Sequence, residues 1–90
     1  MDFEFSPEEK RFKEEVRHFF QSEPELCAGF MKEWHGGEGF GPRTWALLRK
    51  LGEKRWLTPS WPRKYGGLGL PYIYYYIIQE EMSYWLGLYA

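Results

Sequence analysis

"YIYYYIIQEEMSYWLGLY", Tyr72 to Tyr89, is the stretch whose reading decides the fold class of this chain. Its first seven residues, Tyr72 to Ile78, are all aromatic or β-branched, and such a run alone reads as a buried strand. Length decides against it. Tyr75, Ile78, Met82, Trp85 or Leu86, and Tyr89 recur three or four apart, a helical seam of about 15 residues where strands run about 4–8. Only Gln79, Glu80, Glu81 and Ser83 interrupt the apolar wrapping, so this helix, expected over 71–88, should be buried on most sides. Glu80 and Glu81 project about 100° apart on a helix, a poor geometry for an acid/base dyad. One is expected to anchor a backbone group or a basic partner, and the other to meet solvent.

Immediately upstream stands "RWLTPSWPRKYGGLGLP", Arg55 to Pro71. Two readings compete for it, a phosphate cradle or a structural corner. A cradle needs free backbone N–H groups at a helix N-terminus. The following helix opens on Pro71, which lacks that donor, and aromatics follow rather than Lys, Ser or Thr. A corner needs fixed φ and clamping rings: Pro59 and Pro62 supply the first, Trp56, Trp61 and Tyr65 the second. Gly66, Gly67 and Gly69 then permit tight turning. The corner is the better reading.

Further outward, Pro42 suits the first position of a helix over 42–55. Trp45, Leu47, Leu48 and Leu51 give it one broad apolar face. Residues 43–64 carry seven bases against Glu53 alone, whereas residues 1–25 carry eight acids against four bases. Bases late in a helix complement its dipole; a basic surface for nucleic acid or an anionic ligand is the sharper alternative, with no nucleic-acid motif to support it. The preceding "GGEGFGP" has glycines at 37, 39 and 41, but no strand before it and no Lys-Ser/Thr after it, so it reads as a linker. Leu26, Phe30 and Trp34, spaced four apart, suggest a short helix over 25–34 that Gly29 weakens. The first helix, expected over 6–22, is announced by Ser6-Pro7-Glu8-Glu9, a capping box, and by the stripe Phe12, Val16, Phe19 and Phe20.

The expected class is therefore all-α: a small bundle of three main helices with an aromatic, Gly- and Pro-rich connection. Ninety residues make one small domain, and 19 of them are aromatic, more apolar surface than three short helices readily cover. The surplus points to burial against another domain or subunit. Residues 1–90 read as a single, incomplete helical domain, a piece of a longer protein, because the chain stops at "WLGLYA" in mid-pattern. Cys27 alone permits no internal disulfide, and with His18 and His35 it makes no metal-ligand spacing. With neither a signal-peptide pattern nor a long apolar run, a soluble cytoplasmic protein is expected. No catalytic, cofactor-binding or metal-ligating residue is assigned.

Three segments in order resemble the N-terminal helical domain of the acyl-CoA dehydrogenases. They are "MDFEFSPEEKRFKEEVRHFF", "LRKLGEKRWLTPSWPRKYGGLGL" and "IIQEEMSYWLG". The upstream "GGEGFGP" is similar to a bacterial branch of that family, whose members include two-subunit assemblies acting on large acyl-CoAs. The resemblance implies FAD-dependent α,β-desaturation of an acyl-CoA thioester. It also implies that the catalytic glutamate lies in a C-terminal helical domain. Flavin contacts would come mainly from a middle β-domain and a neighbouring subunit. FAD is thus expected in the parent protein and not on this chain alone, which would be inactive. Its contribution would be scaffold and part of the acyl-pocket wall, with Tyr89 and Ala90 at most near that pocket. Two departures stand out: "YIYYYII" is unusually aromatic for its helix, and "LTP" precedes the Trp-Pro. The expected partners are the remaining domains or a partner subunit. The alternatives are a stand-alone module that self-associates through exposed aromatics, and an anionic-ligand binder using the basic stretch.

Overall fold

The computed structural model describes residues 4–37 and 40–87, and its regular elements are helices. Helix α1 spans Pro7–Gln21. Ser6 caps it as its sequence dictates: Glu9 N–H donates to Ser6 Oγ at 3.1 Å and Ser6 N–H to Glu9 Oε1 at 2.8 Å. It stops where Ser22 donates its backbone N–H to the His18 carbonyl and its hydroxyl to the Phe19 carbonyl. Helix α2 spans Pro24–His35 and α3 spans Pro42–Glu53. A short 3-10 turn, Arg63–Tyr65, lies in the corner, and α4 spans Tyr72–Leu86 behind Pro71. The described part of "GGEGFGP" is a turn that links α2 to α3; its residues 38 and 39, like 88–90 with the expected seam residue Tyr89, lie outside the described residues.

Where a weak short helix over 25–34 was expected, α2 is a full helix as long as α3. Gly29 does not break it, because glycine is what lets α2 approach its neighbour. A Cβ there would stand 2.1–2.9 Å from the Arg43 side chain. Among the described residues the bundle therefore has four α-helices, built as two pairs: α1 lies along α4, and α2 along α3. Contacts of α2 with α4 and α1 join the pairs into a plate of 37 × 34 × 23 Å, about two helix diameters thick.

The core runs through the middle of the plate. Val16, Phe19 and Phe20 meet Cys27 and Phe30, then Leu47 and Leu51, and finally Ile78 and Leu86. Trp56 closes it from the corner, with its ring 5.5 Å from Phe19 and 5.9 Å from Phe12, edge to face in both cases. It reaches this position because α3 ends in a Schellman turn. Arg55 N–H donates to the Gly52 carbonyl and Trp56 N–H to Leu51, with Arg55 left-handed at φ 62. The two apolar partners of that motif, Leu51 and Trp56, are both buried.

Three expectations about packing are corrected. Trp45 is 53% exposed, since α3 buries Thr44, Leu47 and Leu51, and Trp45 lies about 100° round from Thr44. Trp34 is displaced in the same way from the buried Glu33. Helix α4 is not covered on most sides: Ile77, Ile78, Glu81 and Leu86 are buried, whereas Tyr72, Tyr76 and Tyr84 face outward.

Candidate functional site

Between α1 and α4 runs a groove of about 520 Å³ lined by Lys13, Arg17, Gln21, Glu80, Glu81, Tyr84 and Trp85. The helical repeat sets Lys13 and Arg17 one turn apart on α1, opposite the adjacent carboxylates of α4. Lys13 Nζ lies 3.5 Å from Glu80, and Arg17 Nε donates to Glu81 Oε1 at 3.3 Å. The same oxygen accepts from Trp85 Nε1 at 3.2 Å. Glu81 is only 4% exposed, so it anchors, while Glu80 sits half in solvent with its own lysine. The hydrogen bond and charge of Glu81 hold the Arg17 guanidinium above even its ordinary high range, against a smaller opposing effect of burial. Each carboxylate is neutralised by its own α1 base. Chemically this is a clasp between helices rather than an acid/base centre.

A second buried carboxylate, which sequence reasoning passed over, lies between α2 and α3. Glu33, 6% exposed, accepts from Thr44 N–H at 2.9 Å and from Arg43 N–H at 3.1 Å. It caps α3 from another helix, the task that Ser6 performs for α1 from within its own chain segment. Burial pushes this carboxyl up. The bonds from Thr44 and Arg43, with the Arg43 charge, outweigh that push and hold it below the ordinary glutamate range. The Thr44 hydroxyl acts in the same sense, although it is buried outside hydrogen-bonding geometry. Gly41 makes the approach feasible, since a Cβ there would stand 2.4 Å from Glu33 Cδ. The only trace in the sequence was an acid set within the apolar positions of α2.

The glycine corner resolves as a corner. The N–H groups of Trp61, Tyr65, Gly66, Gly67, Gly69 and Leu70 all donate to carbonyls within residues 58–63. Gly66 and Gly69 are left-handed, at φ 89 and 65. Gly67 is needed for closeness, because a Cβ would stand 2.2 Å from the Trp61 carbonyl oxygen. A diphosphate would need those N–H groups free, so these residues do not fit the diphosphate of FAD. The expected clamp is corrected in part. Trp56 and Pro59 are buried, but Trp61 and Tyr65 are 54% and 65% exposed.

The remaining candidates separate in space. Cys27 is buried, with its thiol over the Phe20 carbonyl at 3.8 Å; burial, then the Glu23 charge, raises it above its ordinary range. His18 is exposed on α1, and His35 lies at the end of α2 near Gly87. Among the described residues no group of three or more His, Cys, Asp and Glu side chains could hold a metal, and no helix is long and apolar enough to cross a membrane. The bases of residues 43–64 are partly used: Lys50 pairs with Glu23, and Lys54 lies 4.9 Å above Trp56 and 5.4 Å above Phe19. Along the edge of α2 and α3, Phe30, Trp34, Phe40 and Trp45 form a ladder with ring centres 5.2–5.7 Å apart, and all but Phe30 are exposed.

Comparison with known proteins adds the wider context. Residues 6–90 match the family described as acyl-CoA dehydrogenase, N-terminal domain. The chain is 30% identical over 71 residues to acyl-CoA dehydrogenase FadE29 of Mycobacterium tuberculosis (strain ATCC 25618 / H37Rv). That alignment covers 77% of this chain and 17% of the relative, so the chain spans a small part of the length of that protein. No solved structure matches it.

Proposed function

This chain belongs to the acyl-CoA dehydrogenase family through its N-terminal domain, and from that premise we propose that it is the helical scaffold of an FAD-dependent acyl-CoA dehydrogenase. The parent protein desaturates an acyl-CoA thioester between its α- and β-carbons. This chain supplies frame and part of the acyl-pocket wall. The catalytic base and the flavin contacts come from the remaining domains or a partner subunit, in a cytoplasmic, oligomeric assembly. The observation that carries the reading is the family match over residues 6–90. It is supported by where the polar groups go: the Glu80 and Glu81 carboxylates hold α4 to α1, Glu33 caps α3, and the corner amides close on themselves.

Flavin retention and dye reduction test this reading together. The 90-residue chain, passed through gel filtration with FAD, is expected to emerge without absorbance near 450 nm. Joined to the remaining domains or partner subunit, it is expected to support acyl-CoA-dependent dye reduction that is lost when it is omitted. Stoichiometric FAD on the chain alone, or equal activity without it, overturns the proposal.

The exposed ladder Trp34–Phe40–Trp45 favours a second reading, a module that self-associates through aromatic rings. Sedimentation decides it: growth in mass with concentration supports it, and a monomer at high concentration rejects it.

A further inference from the structure

Among the described residues, five have a positive φ, and four of them are glycines: Gly37, Gly66, Gly69 and Gly87. The fifth is Arg55, at φ 62. This left-handed position follows a helix end, where glycine serves best because a Cβ crowds the backbone. Inside the chain the arginine gains nothing in return. Its side chain is exposed and makes no hydrogen bond, ion pair or ring contact among the described residues. Arg63 is likewise exposed and unpartnered, and Lys64 is exposed beside the Tyr65 ring at 5.1 Å. On the same eleven-residue stretch Leu57, Trp61 and Tyr65 are exposed, although a corner of this kind had rings available to bury. Arginine and large aromatics are the residue types enriched at protein-interface hot spots.

We propose that the exposed side chains of residues 55–65, Arg55, Leu57, Trp61, Arg63, Lys64 and Tyr65, together form a docking surface for an acidic protein segment with an apolar anchor. Charge selects the partner. This surface carries Arg55, Arg63 and Lys64, and among the described residues Arg55 and Arg63 have no carboxylate to neutralise them, so the complementary surface is anionic. A nucleic acid fits less well, because the chain as a whole is −1 with a pI near 6.1 and an acidic first helix. Arg55 is then a residue retained for its fork of donors at some expense to the turn that holds it.

The test uses the whole 90-residue chain and a fluorescent nonapeptide repeating Glu-Glu-Leu, read by anisotropy. Binding is expected at about 20 mM salt, weakening several-fold at about 0.3 M. Arg55→Asn, which tolerates a left-handed backbone, is expected to weaken it about 10-fold, and Arg63→Ala about 3- to 10-fold. Arg55→Gly is expected to lose binding equally while its Tm rises by a few degrees. The proposal is overturned if the variants bind as well as wild type, if a Gln-Gln-Leu peptide binds as tightly, or if Arg55→Gly lowers Tm. Tighter binding of CoA or of a single-stranded oligonucleotide through Arg55 would also overturn it, as would Arg55-dependent self-association that excludes the peptide.

Discussion

The two helix pairs of this bundle each contain one buried glutamate, and the two are used in opposite ways. Glu81 holds α4 to α1 through side chains, the Arg17 guanidinium and the Trp85 indole. Glu33 holds α2 to α3 through backbone, the first free N–H groups of α3. A side-chain partner is half in water and can be replaced by solvent, since the Arg17 side chain is 40% exposed. A backbone partner cannot move away without its helix. The first arrangement is thus adjustable and sensitive to salt, whereas the second depends on close approach and on the absence of a methyl group at Gly41.

The harshest way to break this contrast is Gly41→Ala. The new Cβ would collide with the Glu33 carboxylate, and a loss of about 2–3 kcal/mol in denaturant unfolding is expected. Gly29→Ala meets Arg43 as far back as its Cβ, 2.7 Å away and fixed to the α3 backbone, and should cost a similar amount. Next comes Glu81→Ala, expected to cost about 1–2 kcal/mol, because Trp85 loses its acceptor while Arg17 turns to solvent. A double-mutant cycle between Arg17 and Glu81 should return about 0.5–1 kcal/mol, shrinking in 1 M salt. If salt left that coupling unchanged, the contrast with Glu33 would fail. The subtlest test is pH. The Glu33 carboxyl titrates below its unfolded range, so its contribution is complete above about pH 4.3 and is lost as pH falls through the lower folded value. Wild type should exceed Glu33→Gln in denaturant midpoint at pH 7, by a margin that narrows toward pH 3.

What could be read from the sequence follows the same division. Short-range features were legible: the Ser6–Glu9 box, the Val16–Phe19–Phe20 stripe, and the choice of helix over strand for Tyr72–Leu86 depend on spacings within one element. The corner was legible as a corner, because Pro59 and the glycines constrain the backbone locally. Features between elements were not. Trp34 and Trp45 fit an apolar period, yet they lie about 100° off the faces that α2 and α3 turn toward each other, and period alone does not choose the face. Trp61 and Tyr65 had the right chemistry to clamp the corner, but Trp56 and Pro59 took the space. Glu33 was invisible as a cap because its partners begin ten residues on, across the glycine linker. Arg55 was counted among bases that suit a helix end, and nothing in the sequence marks its backbone as left-handed.

The cap from Glu33 also ties two helices into a single unit of opening. The amide hydrogens of Arg43 and Thr44 are held by a residue of α2, so they exchange with solvent only when that helix lets go. Two protons at the start of α3 therefore serve as a clock for the integrity of α2.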